Sequence, residues 1–406
     1  MKKSGIRKVI AVGACGALMC GAIFTGCAAN TSSSSTTSTS SSASQSSEGK
    51  SFTVEITDTS CKVSGNTAKS GTLTFTVSNK GTAVNEFEIL AEDKLQIVVE
   101  RENITPGTTV EVTAVLEPGT YYTASKTNMV GALVDATKFV VEDSGEVIQV
   151  SADEQELRDE AVTNYTAYIK DQAGQLVTAT DEFCEAYLSG DTATAKKLYP
   201  TARQYYERIE PTAEAFGDID PNLDLREADC AEEGVSADEW TGWHAIEKDL
   251  FADGNYSDEK KQSLVDALKK DTQSLYDLVY SSDFEVSLDD ISNGAISLME
   301  EVATSKITGE EEIFSGTDLY DFQANVEGAK VAYGNVKSLL KMKDESQVSK
   351  LDAAFETVEK NLAQYGSIDA GYVNYSELTE AQVKSLSDDV DALRAALANL
   401  TATILK

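Results

Sequence analysis

The hydrophobic period of this chain changes near residue 150, and that change constrains the fold more than any motif does. Upstream, apolar residues alternate with polar ones: Phe52, Val54 and Ile56; Leu73, Phe75 and Val77; Phe87 and Ile89; Val110 and Val112; then a closing run over residues 131–141. Alternation places successive side chains on opposite faces of a strand. Gly71, residues 79–81, Pro106-Gly107 and Pro118-Gly119 punctuate the runs as turns. About seven short strands in roughly ninety residues predict a β-sandwich over residues 51–150. Downstream the period is helical to the end. Thr379 to Gln382 fits a capping box, and Val383, Leu386, Val390, Leu393, Leu397, Leu400 and Ile404 follow at spacings of three and four. Similar stripes cover 153–188, 192–216, 238–251, 258–280, 288–304, 318–341 and 347–364, which predicts an up-and-down all-α bundle over 151–406.

The amino terminus is of another kind. Residues 1–26 carry Lys2, Lys3, Arg7 and Lys8 ahead of an apolar run from Val9 to Phe24, the charge order of an export signal. The run is short and rich in small residues for a membrane span. It ends in Phe24-Thr25-Gly26-Cys27, which resembles a bacterial lipobox with Phe24 in place of the usual Leu. Cys27 is then the expected lipid attachment point, and 27–50 the tether. In residues 31–47, fifteen of seventeen are Ser or Thr, so nothing there can build a core. An ordinary secretory signal with an incidental cysteine is the alternative.

Loss of residues 1–26 takes the formal net charge from −34 to −38. Such a surface excludes nucleic acid as a partner, because phosphate binding needs a basic face. Cations are the natural counter-species, although acidic surfaces also serve solubility. Cys61, Cys184 and Cys230 remain after export and acylation, far apart and odd in number, so they form no disulfide framework.

The densest chemical signal is the stretch EWTGWHAIEKDLF, residues 239–251. Both tryptophans lie within four residues of the only histidine, His244. On a helix His244 and Glu247 share a face, so an imidazole nitrogen and a carboxylate can converge on one cation. Glu207 and Glu210 have the same three-residue spacing, and Asp218, Asp220 and Asp224 follow; Glu300-Glu301 lies further on. Each motif alone has an ordinary reading: Arg208 or a neighbouring lysine satisfies the glutamate pair, and a histidine beside tryptophan is a packed core residue.

Longer stretches carry a resemblance. Ala195-Lys196 to Pro200, Tyr206 to Pro211, Ala215 to Asp218, Trp240 to His244 with Glu247, Glu300 to Glu312 (EEVATSKITGEEE) and Asp318 to Val326 resemble the EfeO family. That family supplies extracytoplasmic components of Efe-type iron uptake and is related to imelysin and the HxxE proteins. Asn85 to Leu90 and Glu100 to Gly107 look like its cupredoxin-like module. The resemblance implies a cupredoxin-like β-sandwich followed by an imelysin-like helical domain. It also implies iron, Fe2+ or Fe3+, bound through His244, Glu247, Glu207, Glu210, Asp224 and Glu301, with delivery to a membrane permease and a heme peroxidase as a further component of the system. Carboxylate oxygens with one imidazole suit iron among first-row metals.

Two departures matter. The family usually has a histidine before Thr317-Asp318, where this chain has Gly316. A blue-copper site needs two histidines and a cysteine, but no histidine lies in the β part, and the stretch 122–125 (YTAS) lacks the cysteine. Cys61, Met129, Glu86, Glu88, Glu100 and Glu102 are the residues left for a weaker second metal site there. Against it stands a structural or partner-docking sandwich whose strand glutamates face solvent. A zinc hydrolase needs further histidines, so catalysis is not expected. Cation-dependent binding of an acidic polysaccharide and a metal-dependent peptidase stay as alternative readings.

Overall fold

The computed structural model describes residues 50–145, 153–252 and 255–406. The expected signal peptide, Cys27 and the tether lie outside the described residues. No helix among the described residues is long and apolar enough to cross a membrane.

The alternating segments form two sheets. Strands β1 (Ser51–Thr57), β2 (Ser60–Val63), β4 (Gly71–Asn79) and β7 (Thr109–Leu116) make a four-stranded sheet in the order β2-β1-β4-β7. Strands β3 (Thr67–Lys69), β9 (Val134–Glu142), β8 (Gly119–Thr127), β5 (Asn85–Leu90) and β6 (Ile97–Ile104) make a five-stranded one in that order. Their inner faces close on Phe52, Phe75, Phe87 and Phe139, with ring centroids of Phe52, Phe75 and Phe139 5.1 to 5.7 Å apart. The short β2 and β3 raise the strand number above the expected seven. The closing strand begins at Val134, because Gly131 is spent on a left-handed turn.

The helices are α1 (Glu154–Ser189), α2 (Thr192–Glu207), α3 (Ile219–Asp224), α4 (Cys230–Glu233) and α5 (Trp243–Phe251). They continue with α6 (Asp258–Val279), α7 (Leu288–Thr304), α8 (Asp318–Leu362), α9 (Glu380–Leu397) and α10 (Leu400–Ile404). Asp153 caps α1 through Gln155 N, and the Thr379–Gln382 capping box opens α9 as expected. The two stripes 318–341 and 347–364 form one element broken at Asp344, whose carboxylate caps the amides of Ser346 and Gln347.

The sandwich packs against α1 through the outer face of its five-stranded sheet. Leu90, Ile97 and Ala124 bury Ala167 of α1. Lys126, with no exposed surface, is ion-paired to Asp171, while Lys170 Nζ meets Glu102 Oε1 at 3.2 Å. The amide of Gly131 donates to the carbonyl of Gly174 at 3.1 Å; a Cβ on Gly174 would stand 2.8 Å from the carbonyl oxygen of Met129. The seam corrects the expectation that the strand glutamates face water. Strand β5 is covered on both faces, so Glu86 and Glu88 are buried.

Candidate metal centre

Three departures from regular helix build the centre. Helix α2 ends at Glu207, because Pro211 has no amide to continue it and disfavours helical backbone at Glu210. A 3-10 turn, Glu210–Phe216, replaces the rest of the expected 192–216 helix. The turn is seated by two glycines: a Cβ on Gly294 of α7 would overlap the Pro211 carbonyl, and one on Gly328 of α8 the Arg208 carbonyl. Helix α5 starts only at Trp243, since Gly242 adopts φ 85° with its α-carbon against the Leu223 carbonyl. Glu207, Asp224 and His244, far apart in sequence, thereby meet beneath one cleft.

His244 is 1 % exposed. Its Nδ1 lies 3.2 Å from Glu247 Oε2, and its Nε2 lies 3.5 Å from Asp224 Oδ1 without making a hydrogen bond. The other oxygen of Glu247 accepts the amides of Phe314 (2.9 Å) and Ser315 (2.7 Å), so the loop after α7 holds that carboxylate in place. Glu312 from the same loop reaches within 3.9 Å of Nδ1 and is oriented by the hydroxyls of Tyr199, Ser315 and Thr317. Two sets of donor atoms, Asp224–His244–Glu311 and His244–Glu247–Glu312, each fall within 4.8 Å of one another. Trp243, fully buried, packs on Phe183 and Tyr199, with centroids 5.3 and 6.0 Å away.

Two buried cations stand among the carboxyls. Arg203 has no exposed surface; it pairs with Glu207, Asp224 and, at 2.7 Å, Glu312. Lys306 has none either; its Nζ is 2.6 Å from Glu210 Oε1 and 3.4 Å from both Glu207 Oε2 and Glu311 Oε1. Asn325 Nδ2 donates to Glu207 Oε2 (3.0 Å) and Glu210 Oε2 (2.7 Å). Asp321 is fully buried, 3.8 Å from Arg203 Nε, and neither carboxyl oxygen has a hydrogen-bond partner. A cleft of about 800 Å³ bordered by Glu210, Asp220, Asp224, Glu301 and Glu311 leads to this cluster.

These neighbours set the protonation. Burial and the charge of Arg203 both push the His244 imidazole down. The Glu247 hydrogen bond and the charges of Asp224 and Glu312 outweigh them, raising it to about 9. Burial, with the charge of Glu247, lifts Glu312 to about 8 against the pull of Arg203 and His244. Burial also acts upward on Glu207, yet Lys306 and Arg203 prevail and hold it at about 2. Glu210 is pushed well above the carboxylate range by burial, which Lys306 only partly offsets. The metal-free cluster thus keeps itself together with protons and two internal cations. A metal ion would supply the same charge at one point.

Relatives fix the family. A family model described as Imelysin matches residues 161–400, and a cupredoxin-like domain model matches 28–134. The chain is 38% identical over 348 residues to the protein named iron uptake system component EfeO of Yersinia pseudotuberculosis serotype I (strain IP32953), covering 86% of this chain and 89% of that one. The chain belongs to the EfeO family. The EfeO proteins of Yersinia pestis and Escherichia coli O1:K1 / APEC match at the same 38% identity and the same coverage, 86% and 89%. The cupredoxin-like and imelysin-like expectations therefore hold for the fold.

Within this EfeO-type helical domain, the expected residues divide. His244, Glu247 and Asp224 converge. Glu207 and Glu210 are engaged by Arg203, Lys306 and Asn325, while Glu301 lines the cleft outside the two donor sets. Of the cations in the ordinary reading of the glutamate pair, Arg208 or a neighbouring lysine, Arg208 instead meets Glu327 at 2.8 Å. Sequence reading missed Glu311, Glu312, Asp321, Lys306 and Arg203. The four-residue step from Arg203 to Glu207 was a legible helical ion pair; the others depend on contacts made across the chain. Gly316 adopts φ 68°, and the Asn374 side chain fills the space a Cβ would take.

Of the six residues named for a second site, the four glutamates lie close enough to act on one another's charge, Glu86 with Glu88 and Glu100, and Glu100 with Glu88 and Glu102. Glu88 and Glu100 pair across β5 and β6 on the outer face toward α1, and Glu102 is held by Lys170. Cys61 is buried in the sandwich interior. Met129 lies in the turn at the seam with φ 56°. Among the described residues, no donor set from the β part gathers as the two around His244 do.

Proposed function

We propose that this protein is the extracytoplasmic iron-binding component of an Efe-type uptake system. It captures ferrous or ferric iron at His244, Glu247 and Asp224, joined by Glu311 and Glu312, and passes the ion to a membrane permease. Glu207 and Glu210 support the site through Lys306 and Arg203, and Glu301 acts at its approach. Acylation at Cys27 and the Ser/Thr-rich tether keep it at the membrane face, and a heme peroxidase is the proposed partner for oxidation of the iron. No covalent catalysis by this chain is part of the reading.

One observation carries it. The Nε2 of a fully buried histidine has no hydrogen-bond partner and stands among carboxylates below an open cleft. Burying an imidazole nitrogen unpaired is costly unless something comes to it. Hard carboxylate oxygens with a single nitrogen favour iron over copper, and the absence of a second histidine removes the usual zinc-hydrolase ligand set. The names of the EfeO relatives agree with iron as the cargo.

The test is metal content after competitive loading with iron, zinc, copper and calcium, on wild type and on His244→Ala/Glu247→Ala. Iron should be retained by wild type and lost by the double variant. Iron retention by the double variant overturns the site; metal-dependent peptide cleavage lost in His244→Ala would favour the peptidase reading instead.

A further inference from the structure

Lys306 is placed as an ion would be. It opens the 3-10 turn after α7, is fully buried, and its ammonium is surrounded by Glu207, Glu210 and Glu311 at 2.6 to 3.4 Å. Glu311 belongs at once to this nest and to the donor set with Asp224 and His244. A metal that engages Glu311 draws on a carboxylate already neutralising an ammonium. The two positive charges then repel at short range in a poorly screened site. Glu301 borders the same cleft but is not one of the three ion-pair partners of Lys306. Asp220, also on that wall, is occupied by the Tyr206 hydroxyl.

We propose that Lys306 is a resident counter-cation that competes with the bound metal for Glu311 and swings toward Glu301 when the metal enters. This rests on the metal-binding reading above. A lysine can make such a move, because its charge sits on a four-carbon flexible stem, and its partners Glu210 and Glu311 border the cleft that Glu301 also lines. The device suits a carrier. A cluster this rich in carboxylates would hold a multivalent ion too firmly to hand it over, and an internal ammonium ready to reclaim its carboxylates lowers the cost of release.

The experiment measures affinity and dissociation rate of ferrous iron under anaerobic conditions, using a chromogenic ferrous chelator in excess. The proteins are wild type, Lys306→Met, Glu301→Gln and the double variant, each checked for folding by circular dichroism. Competition predicts that Lys306→Met binds more tightly and releases iron on the order of tenfold more slowly. Glu301→Gln should weaken binding about threefold with Lys306 present and have no effect in the Lys306→Met background. A folded Lys306→Met with unchanged or weaker iron binding overturns the proposal, as does an equal Glu301→Gln effect in both backgrounds, which would make Glu301 a ligand. If Lys306→Met does not fold, Lys306→Gln takes its place in both the single and the double variant, and the same outcomes decide. Failure of wild type to bind iron defeats the underlying site reading instead.

Discussion

His244 Nδ1 stands 3.2 Å from Glu247 Oε2, which leaves Nε2 as the nitrogen facing Asp224 and the cleft. The carboxylate therefore orients the ring and leaves Nε2 without a hydrogen-bond partner, the nitrogen that would lose its proton to a metal, the arrangement by which partners of metal-binding histidines fix ring direction.

Glu247 is also the acceptor for two loop amides, so its replacement should act on more than metal. Glu247→Ala leaves the amides of Phe314 and Ser315 without their partner. The expected cost is about 1–3 kcal/mol of stability in the metal-free protein, read by urea unfolding, together with loss of iron. An unchanged unfolding midpoint would show that the loop does not depend on this carboxylate.

Stability of the metal-free protein should fall as pH rises. His244 is raised to about 9, so its stabilising charge is complete below the unfolded imidazole range and lost as pH climbs through 9. Glu312 is raised to about 8; the native state keeps a proton there that the unfolded chain has given up, and stability again declines with pH. Calorimetry between pH 5 and 9 should show a falling melting temperature, with a smaller fall when iron is bound. Glu312→Gln should flatten the lower part of that slope.

Arg203 is paired from inside with the carboxyl groups of Glu207, Asp224 and Glu312. Arg203→Met should destabilise the metal-free protein by about 3–5 kcal/mol, because the buried anions lose their partner. Added divalent metal should restore part of the loss. Thermal shifts larger for the variant than for wild type on metal addition would bear this out; equal shifts would count against the charge-balance account.

The turn carrying Glu210 leaves no space at Gly294 or Gly328. Gly328→Ala should push the Arg208 carbonyl away and displace Glu207 and Glu210 together. A loss of about 1–3 kcal/mol is expected for overpacking, with weaker iron binding. Gly217→Ala tests whether added bulk alone matters: no atom outside its own neighbourhood would meet that Cβ, so any cost there comes from its backbone angle.

How much of this could be read beforehand follows from the range of the interactions. Thr379, Gln382 and the α9 stripe act within a few residues, and the helix appears where they place it. His244 and Glu247 share one helical turn and were equally plain. The break after Glu207 was signalled by Pro211 but was overridden by the apolar period. Glu86 and Glu88 looked solvent-facing because their cover, α1, lies far along the chain. Lys306 gave no local sign: its three carboxylates come from α2, the following turn and the loop after its own turn.

The seam between sandwich and α1 has a practical consequence for anyone dissecting the molecule. Asp171 is neutralised by Lys126, and Ala167 is covered by Leu90, Ile97 and Ala124, all contributed by the other part of the chain. A fragment cut near residue 150 would thus begin with a long helix whose Asp171 has lost its ion-pair partner and whose Ala167 has lost its apolar cover. Metal titrations of such a piece would include an added acid at the seam, Asp171, that the whole chain keeps paired away from the centre around His244.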